Sequence, residues 1–306
     1  MYEFNFLSSD GETKLHALEW LPEDAPKGIL QIVHGLAGHM ARYADFAETM
    51  ARNGCIVVGH DHPGRGETPA GGGGAGLFGE RGGWELAVDD VRRLTELSHR
   101  RHSGLPLYLL GHSTGSLLAR AYITEYRQGL DGVLLSGTGQ APAPLSFAGE
   151  ALAKLEIRRH GPRCRSERLY SLIFGRHSGK IFSPKAASGR LGGDEAIAGS
   201  GADGRVVPSA ALFLDVLRGM RRCGGMRNLK RMKKDLPVYF FSGDMDPFGG
   251  YGKGVLRVYR SFLAAGMRDV SLKLYPGGRH EMLNGQNREE VCADVLAWIE
   301  SKSGRK

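Results

Sequence analysis

The amino-acid sequence predicts an α/β fold, with a mostly parallel, doubly wound sheet and an inserted helical cap. Short apolar runs alternate with amphipathic segments along most of the chain, and this alternation is typical of parallel strands joined by crossover helices. The alternation stops near Thr138 and resumes at residue 237. The segment between is helix-prone, rich in arginine and interrupted by glycines. We therefore divide the chain into a first core part (1–139), a cap (140–235) and a second core part (236–306).

The first core part begins with a predicted hairpin, because residues 2–8 and 13–20 flank the turn dipeptide Asp10-Gly11. Apolar residues at helical spacing predict helices at about 43–53 and 84–101. The apolar runs between these elements predict buried strands: GILQIV at 28–33, CIVVGH at 55–60, LYLL at 107–110 and GVLLSG at 132–137.

The second core part continues the same alternation. The runs PVYFFSG (237–243) and VSLKLY (270–275) predict two further strands. Helices are expected at about 254–265 and 288–301, the second with Val295 and other apolar residues on its inner face. The sheet is therefore predicted to extend on both sides of the cap.

The stretch Gly111-His112-Ser113-Thr114-Gly115 lies between a predicted buried strand and a predicted helix. Glycines are common at such turns for structural reasons alone, because they accept strained backbone angles. The stretch also matches G-x-S-x-G, in which the serine lies at the tip of a sharp strand-to-helix turn with its hydroxyl exposed. The strand before and the helix after favour the second interpretation, which makes Ser113 the candidate nucleophile.

A serine of this kind needs an acid and then a histidine later in the chain. Asp244 and Asp246 follow the strand 237–243, and His280 follows the last strand. Aspartates in turns and single histidines are individually ordinary, but the order serine, aspartate, histidine and the positions after strand ends match the requirement. We expect His280 to take the proton of Ser113 and an aspartate to orient the imidazole.

Negative charge that develops on a carbonyl oxygen needs fixed dipoles to stabilise it. The run IVHGLAGH ends an early strand at His34-Gly35, and the backbone N–H groups of Leu36 and Thr114 are expected to point at one position. Such donors belong to the main chain, so they constrain side-chain identity only loosely.

The remaining histidines predict no metal site. His60-Asp61-His62 places two histidines on one face of a strand, but further ligands for a metal cluster are not evident in the sequence. We expect His34, His39 and His112 to be structural or to line the pocket. No cofactor is implied.

The composition of the chain limits which partners and which cellular location we expect. The chain has 306 residues, a formal net charge of +8 and four separated cysteines. No secretory signal or membrane-spanning run is evident, so we expect a cytoplasmic protein with reduced thiols. The basic residues concentrate in the cap without a nucleic-acid-binding motif, so no nucleic acid is expected as a partner. A solvated surface is the first interpretation of these residues, and weak attraction to a membrane surface or an anionic substrate is the second.

Six segments resemble the monoacylglycerol lipase and lysophospholipase branch of the α/β-hydrolases, which includes serine aminopeptidase-like members. These segments are HGLAGHMARYADFA, DHPGRGET, GGWELAVDDV, GHSTGS, SGDMDP and LYPGGRHEML. The resemblance implies an α/β-hydrolase fold and a set of site residues. These are Ser113 as nucleophile, Asp246 as acid, His280 as base, the Leu36 and Thr114 amides as oxyanion donors, and Arg42 as a binder of the polar head. Members usually carry Glu where this chain has Gly38, and many have Met where Thr114 stands.

The resemblance implies a serine carboxylester hydrolase that acts on small or single-chain lipid esters through an acyl-enzyme. The sequence carries no signal for the oligomeric state. A serine aminopeptidase-like peptidase stays open as an alternative, although it needs acidic residues near the site to hold an ammonium group. A non-catalytic ligand-binding protein on this fold is the alternative of another class. Apolar residues of the cap are expected to pack on the sheet or to line an acyl channel: Leu169, Leu172, Ile173, Phe174, Leu212, Phe213 and Leu217.

Overall fold

The structure is a computed structural model, and it describes residues 1–36, 38–70, 77–79, 82–166, 168–169 and 208–303. Within them the chain forms an eight-stranded sheet with the strand order β1-β2-β4-β3-β5-β6-β7-β8. The strands are β1 (Tyr2–Leu7), β2 (Lys14–Trp20), β3 (Gly28–Val33), β4 (Cys55–His60), β5 (Leu107–His112), β6 (Gly132–Ser136), β7 (Val238–Gly243) and β8 (Val270–Tyr275). The pairs β1–β2 and β2–β4 are antiparallel, whereas the six strands β3 to β8 run parallel to one another.

Helices connect the strands of the described residues, and a short 3-10 turn at Met40–Tyr43 precedes the first of them. The helices are α1 (Ala44–Arg52), α2 (Gly83–Arg101), α3 (Thr114–Glu125), α4 (Ala143–His160), α5 (Ala210–Gly224), α6 (Met226–Leu229), α7 (Lys253–Ala264) and α8 (Arg288–Ser303).

The sheet is covered on both faces, which explains why its central strands consist mostly of apolar residues without alternation. Every residue of β3, β4 and β5 is buried. On one face, Val88 of α2, Leu117 of α3 and Phe262 of α7 belong to a single apolar cluster. On the other face, Phe46 of α1 and Val295 of α8 belong to a second cluster. The predicted fold class, a mostly parallel and doubly wound sheet, is confirmed.

The predicted strands and helices outside the segment 140–235 agree with the observed ones to within about two residues at most ends. The predicted strand 107–110 is longer in the structure, since β5 continues to His112, and the helix predicted after it begins at Thr114. Apolar patterning finds the middle of an element better than its end, because the last turn or ladder bond depends on neighbouring elements.

Three helices, α4, α5 and α6, lie in the described part of the segment 140–235. Helix α5 approaches helix α2 closely at Gly219, where an added Cβ would collide with the indole of Trp84. Leu172, Ile173 and Phe174 lie outside the described residues. The boundaries of the cap therefore stay a prediction.

No helix among the described residues combines the length and the apolar character needed to cross a bilayer. The cytoplasmic location stays a prediction.

Candidate active site

Ser113 lies at the turn between β5 and α3, and its backbone is strained. Its φ of 56° and ψ of −121° lie in a region that residues with a Cβ rarely adopt. The flanking glycines have a different role from the one expected, since neither has a positive φ. A Cβ on Gly111 would collide with the carbonyl oxygen of Gly115, and a Cβ on Gly115 would collide with that of Val33. The strain is therefore carried by Ser113, and the glycines provide space.

Ser113, His280 and Asp246 lie within hydrogen-bonding distance of one another in series. The Nε2 atom of His280 is 2.8 Å from Ser113 Oγ, and its Nδ1 atom is 2.9 Å from Asp246 Oδ2. With the Nδ1 proton directed at the carboxylate, Nε2 is left to accept a hydrogen bond from the hydroxyl. All three side chains are buried. The predicted residues are thus brought together, and their catalytic roles stay a prediction.

The pKa values of the imidazole and the carboxylate move in the directions that an ion pair requires. Burial lowers the pKa of His280, but the charge of Asp246 and its hydrogen bond outweigh this effect and raise the pKa above its ordinary value. Burial raises the pKa of Asp246, and the charge and hydrogen bond of His280 reverse the shift. Asp246 also accepts a hydrogen bond of 2.9 Å from the Phe248 amide. The site is therefore built to hold a charged imidazolium.

Asp244 lies two residues before Asp246 but faces a different neighbour. Its Oδ1 atom accepts a hydrogen bond of 2.8 Å from the amide of Gly277. It therefore ties the turn after β7 to the loop that leads to His280, instead of contacting the imidazole. The two aspartates therefore bind different partners, Asp244 the Gly277 amide and Asp246 the imidazole of His280.

The predicted oxyanion donors border the site. Among the described residues, no acceptor takes a hydrogen bond from the amide of Leu36 or Thr114. The Leu36 carbonyl accepts a bond of 2.8 Å from Arg65 Nε, which holds the loop after β3. The imidazole of His34 supports the same loop, because Nδ1 donates to the Gly35 carbonyl (2.7 Å) and Nε2 accepts from the His62 amide (3.0 Å). Both predicted amides are thus left available in a fixed loop and at the start of α3.

A pocket opens at Ser113. Arg42, predicted to bind the polar head, lines this pocket, and so does Gly38. Its other lining residues are Gly35, Leu36, Tyr43, His112, Ser113, His280 and Glu281.

Glu281 is a pocket residue that the sequence reasoning missed. Its Oε2 atom is 3.5 Å from His112 Nε2, and the rings of His112 and His280 are 5.0 Å apart. The side chain of Glu281 is 36% exposed. Its partial burial raises the pKa of Glu281, but the charges of His112, Arg42 and His280 outweigh this effect and lower the pKa well below its usual range. In the sequence, only its position could have indicated this residue, because Glu281 directly follows the predicted base His280. The pocket therefore contains a carboxylate and a guanidinium.

His60 and His62 are buried beside this site and differ from His280. Their rings lie 5.3 Å apart, and their ring nitrogens have no hydrogen-bond partner in the described part of the chain. Burial, with the charge of a neighbouring histidine, lowers both pKa values. The carboxylate of Asp61 binds the backbone, since it accepts a hydrogen bond of 2.6 Å from the Met40 amide. The described residues contain no group of three side chains suited to a metal ion.

Comparison with known proteins places the chain in a family. The model of the family described as serine aminopeptidase, S33 (Hydrolase_4) matches residues 24–287. The chain belongs to this family. It is 27% identical to the monoacylglycerol lipase of Mycolicibacterium smegmatis over 286 residues, which cover 92% of this chain and 91% of that protein. It is 30% identical to the human monoglyceride lipase over 118 residues, or 38% of this chain and 36% of that protein.

The fold is shared with solved structures as well. A thermostable carboxyl esterase from Bacillus coagulans, determined in complex with glycerol, superimposes with a TM-score of 0.83 and 26% identity. The match covers 99% of this chain and 98% of that one. The α/β-hydrolase fold predicted from the sequence is confirmed, and the chain is an enzyme of this family, a serine ester hydrolase.

Proposed function

We propose that this enzyme hydrolyses esters of single-chain lipids through an acyl-enzyme on Ser113, with a monoacylglycerol-like ester as its substrate. The observation that carries the proposal is the hydrogen-bonded series Ser113–His280–Asp246 at the base of a pocket that also holds Arg42 and Glu281.

In the proposed mechanism, Ser113 Oγ attacks the ester carbonyl carbon while His280 Nε2 takes the hydroxyl proton. The carbonyl oxygen becomes an oxyanion, which the amides of Leu36 and Thr114 stabilise. His280 then gives the proton to the leaving alkoxide, and the C–O bond to the alcohol breaks. Water enters, loses a proton to His280, attacks the acyl carbon and releases the fatty acid. His280 finally returns the proton to Ser113.

Arg42 and Glu281 suit an alcohol that carries further hydroxyl groups. A guanidinium donates hydrogen bonds and a carboxylate accepts them, so two neighbouring hydroxyls find complementary partners. Gly38 adds no side chain to the pocket, which leaves room for such a group. The similarity to the monoacylglycerol lipase of M. smegmatis, and to an esterase determined with glycerol bound, supports a glycerol-like alcohol.

The acyl chain requires an apolar channel, which we propose the segment 140–235 provides. Four of the apolar residues expected to pack on the sheet or to line this channel lie in the described part of the chain, and all are buried: Leu169, Leu212, Phe213 and Leu217. Each methylene that enters such a channel contributes about 0.8 kcal/mol. Activity should therefore rise with acyl length over a few carbons and fall when the channel is full.

A hydrolysis panel tests the proposal. We expect kcat/KM to rise from acetyl to medium-chain p-nitrophenyl esters, with monoacylglycerols cleaved faster than triacylglycerols or lysophospholipids. A capped pocket admits one chain more readily than three, so triacylglycerols are expected to be poor substrates. A flat profile across acyl lengths would contradict the lipid assignment while leaving Ser113 as nucleophile.

Glu281 favours one second candidate function, cleavage of aminoacyl amides. A carboxylate in the pocket can hold a substrate ammonium, which is the requirement of the peptidase alternative. Arg42 lines the same pocket and opposes a cation there. Faster cleavage of alanyl naphthylamide than of any ester, with loss of that activity in Glu281→Gln, would support the peptidase in place of the esterase.

The basic residues of the segment 140–235 would attract an anionic lipid surface. Such a surface holds the single-chain esters that we propose as substrates, so the proposed function includes a weak contact with a membrane.

A further inference from the structure

Arg120 places a positive charge in the interior of the protein without a carboxylate to balance it. The residue lies on α3, and its side chain is completely buried. No carboxylate in the described part of the chain pairs with it, and its Nε atom has no hydrogen-bond partner there. Burial lowers the pKa of the guanidinium below its ordinary value, and burying an unbalanced charge opposes folding. Packing alone therefore does not explain an arginine at this position.

The guanidinium of Arg120 contacts segment 137–140, which directly follows β6. Its Nη1 atom donates a hydrogen bond of 2.9 Å to the Gly139 carbonyl, and its Nη2 atom donates one of 2.8 Å to Gln140 Oε1. Hydrogen bonds from a charged donor are stronger than those between neutral groups. Because the guanidinium is a rigid planar fork, the two bonds fix the positions of both oxygens relative to α3.

Gln140 is held from two further sides. Its carbonyl accepts a hydrogen bond of 2.7 Å from Arg257 of α7. Its side-chain amide lies against the last residue of α5, because an added Cβ on Gly224 would lie 2.5 Å from Gln140 Oε1. Helices α3, α5 and α7 therefore meet at this residue and fix one end of segment 137–140.

The same segment forms a wall behind the imidazole of His280. An added Cβ on Gly137, which has a φ of 55°, would lie 3.2 Å from the imidazole. An added Cβ on Gly139 would lie 3.0 Å from the Phe248 carbonyl oxygen. The Phe248 ring is 5.1 Å from the ring of His280, and its amide binds Asp246. A shift of the segment would therefore displace the imidazole, its carboxylate partner or both.

We propose that Arg120 is a positioning residue for His280. Its two hydrogen bonds hold segment 137–140 in place, and this segment keeps the imidazole between Ser113 Oγ and the carboxylate of Asp246. Arg120 acts through the backbone of the segment and does not touch the ester. This inference rests on the proposed function, because the placement of His280 matters to turnover only if it is the base.

Steady-state kinetics with p-nitrophenyl acetate test the proposal, because a small acyl group makes little use of an acyl channel. In Arg120→Met we expect kcat to fall about 10- to 100-fold, the scale for a displaced catalytic group, and KM to stay within about two-fold. Arg120→Lys should recover part of the loss, because an ammonium keeps the charge but not the fork. Arg260→Met removes an exposed arginine of α7 and is the control, with the kcat of the parent.

Proton NMR separates a positioning role from a merely structural one. At a pH where the imidazole is charged, the proton between His280 Nδ1 and Asp246 should give a low-field resonance in the parent, because it lies in a charge-assisted hydrogen bond. We expect this resonance to be broadened or lost in Arg120→Met and retained in Arg260→Met. The thermal unfolding midpoint of each variant shows whether it is folded at the assay temperature.

Three results in a folded Arg120→Met would each overturn the inference. The first is the kcat and the resonance of the parent. The second is a higher KM at unchanged kcat, since the effect would then lie in substrate binding, and the third is a lower kcat with an unchanged resonance. If Arg120→Met does not fold, Arg120→Lys decides by the same three results. Absence of Ser113-dependent ester hydrolysis in the parent would instead contradict the proposed function.

Discussion

His280 and the pair His60 and His62 are all buried near the carboxyl ends of the strands, yet their pKa values move in opposite directions. Burial penalises the charged imidazolium in each case. His280 has the carboxylate of Asp246 at 2.9 Å, and its pKa rises. The rings of His60 and His62 contact each other and the aromatic rings of Phe6 and Phe78, and their pKa values fall.

The difference shows that a charged partner, and not burial, decides what a buried histidine can do. The raised pKa lets His280 hold a proton more readily than a free imidazole does, which suits the general base that we propose. His60 and His62 stay neutral and act as packing groups at the end of β4. Four experiments test this difference.

The largest effect is expected from the hydroxyl that His280 contacts. Ser113→Ala should lower esterase turnover by about 10⁴–10⁶-fold, the scale for removal of a triad nucleophile. The thermal unfolding midpoint should show that the fold is retained. Labelling by a fluorophosphonate reports the nucleophile directly, and equal labelling of parent and variant would show that another residue is attacked.

The next largest effect is expected from the partner that distinguishes His280. Asp246→Asn should reduce kcat by about 10⁴-fold, because an amide does not stabilise the imidazolium and favours the wrong tautomer. Asp244→Asn is the matched control, since an amide oxygen still accepts the bond from Gly277. Its kcat should stay close to that of the parent. Equal losses in the two variants would defeat the assignment of Asp246.

The neutral histidines should affect stability instead of activity. The pKa of His60 is about 3 in the folded chain, against about 6.5 in the unfolded chain. Its neutral form therefore contributes stability that is present above about pH 6.5 and is lost as pH falls toward 3, with a slope of up to about 1.4 kcal/mol per pH unit. In His60→Leu this contribution to the slope should vanish, while esterase activity is retained.

Urea unfolding at pH 7, 5.5 and 4.5 measures that slope. His160→Gln is the control, because His160 is exposed at the end of α4 and its substitution should leave the slope unchanged. A slope in His60→Leu as steep as in the parent would show that His60 is not held neutral by the fold.

The smallest effect is expected from Glu281. The raised pKa of His280 places the acid limb of the kcat/KM profile above pH 6.5, because the imidazole must be neutral to act as a base. Asp246 and Glu281 both raise this pKa, and His112 and Arg42 face Glu281. Glu281→Gln should move the acid limb to lower pH by less than about one unit. Glu289→Gln on α8 is the control. If the acid limb of Glu281→Gln stays in place or moves to higher pH, Glu281 has no role in setting the charge of His280.

Most of the sheet follows from the sequence because each strand is encoded locally. The apolar runs at 55–60 and 270–275 coincide with β4 and β8 in the structure. The stretch around Ser113 is also local, since strand, turn and helix are contiguous. The sequence predicts that the glycines accept the strained angles of the bend, whereas the positive φ lies at Ser113. That distinction depends on the approach of β3 to Gly115, a contact between segments far apart in the chain.

The choice among polar side chains needed the tertiary structure. Asp244 and Asp246 occupy the same turn, and their sequence neighbourhood does not say which one meets the imidazole. Glu281 follows His280 in the chain, but its contact with His112 exists only because the loop after β8 packs beside the end of β5. Periodicity and turn chemistry act over a few residues, so the sequence by itself determined the strands and helices. The partners of the polar side chains depend on contacts between distant segments, so only the tertiary structure decided them.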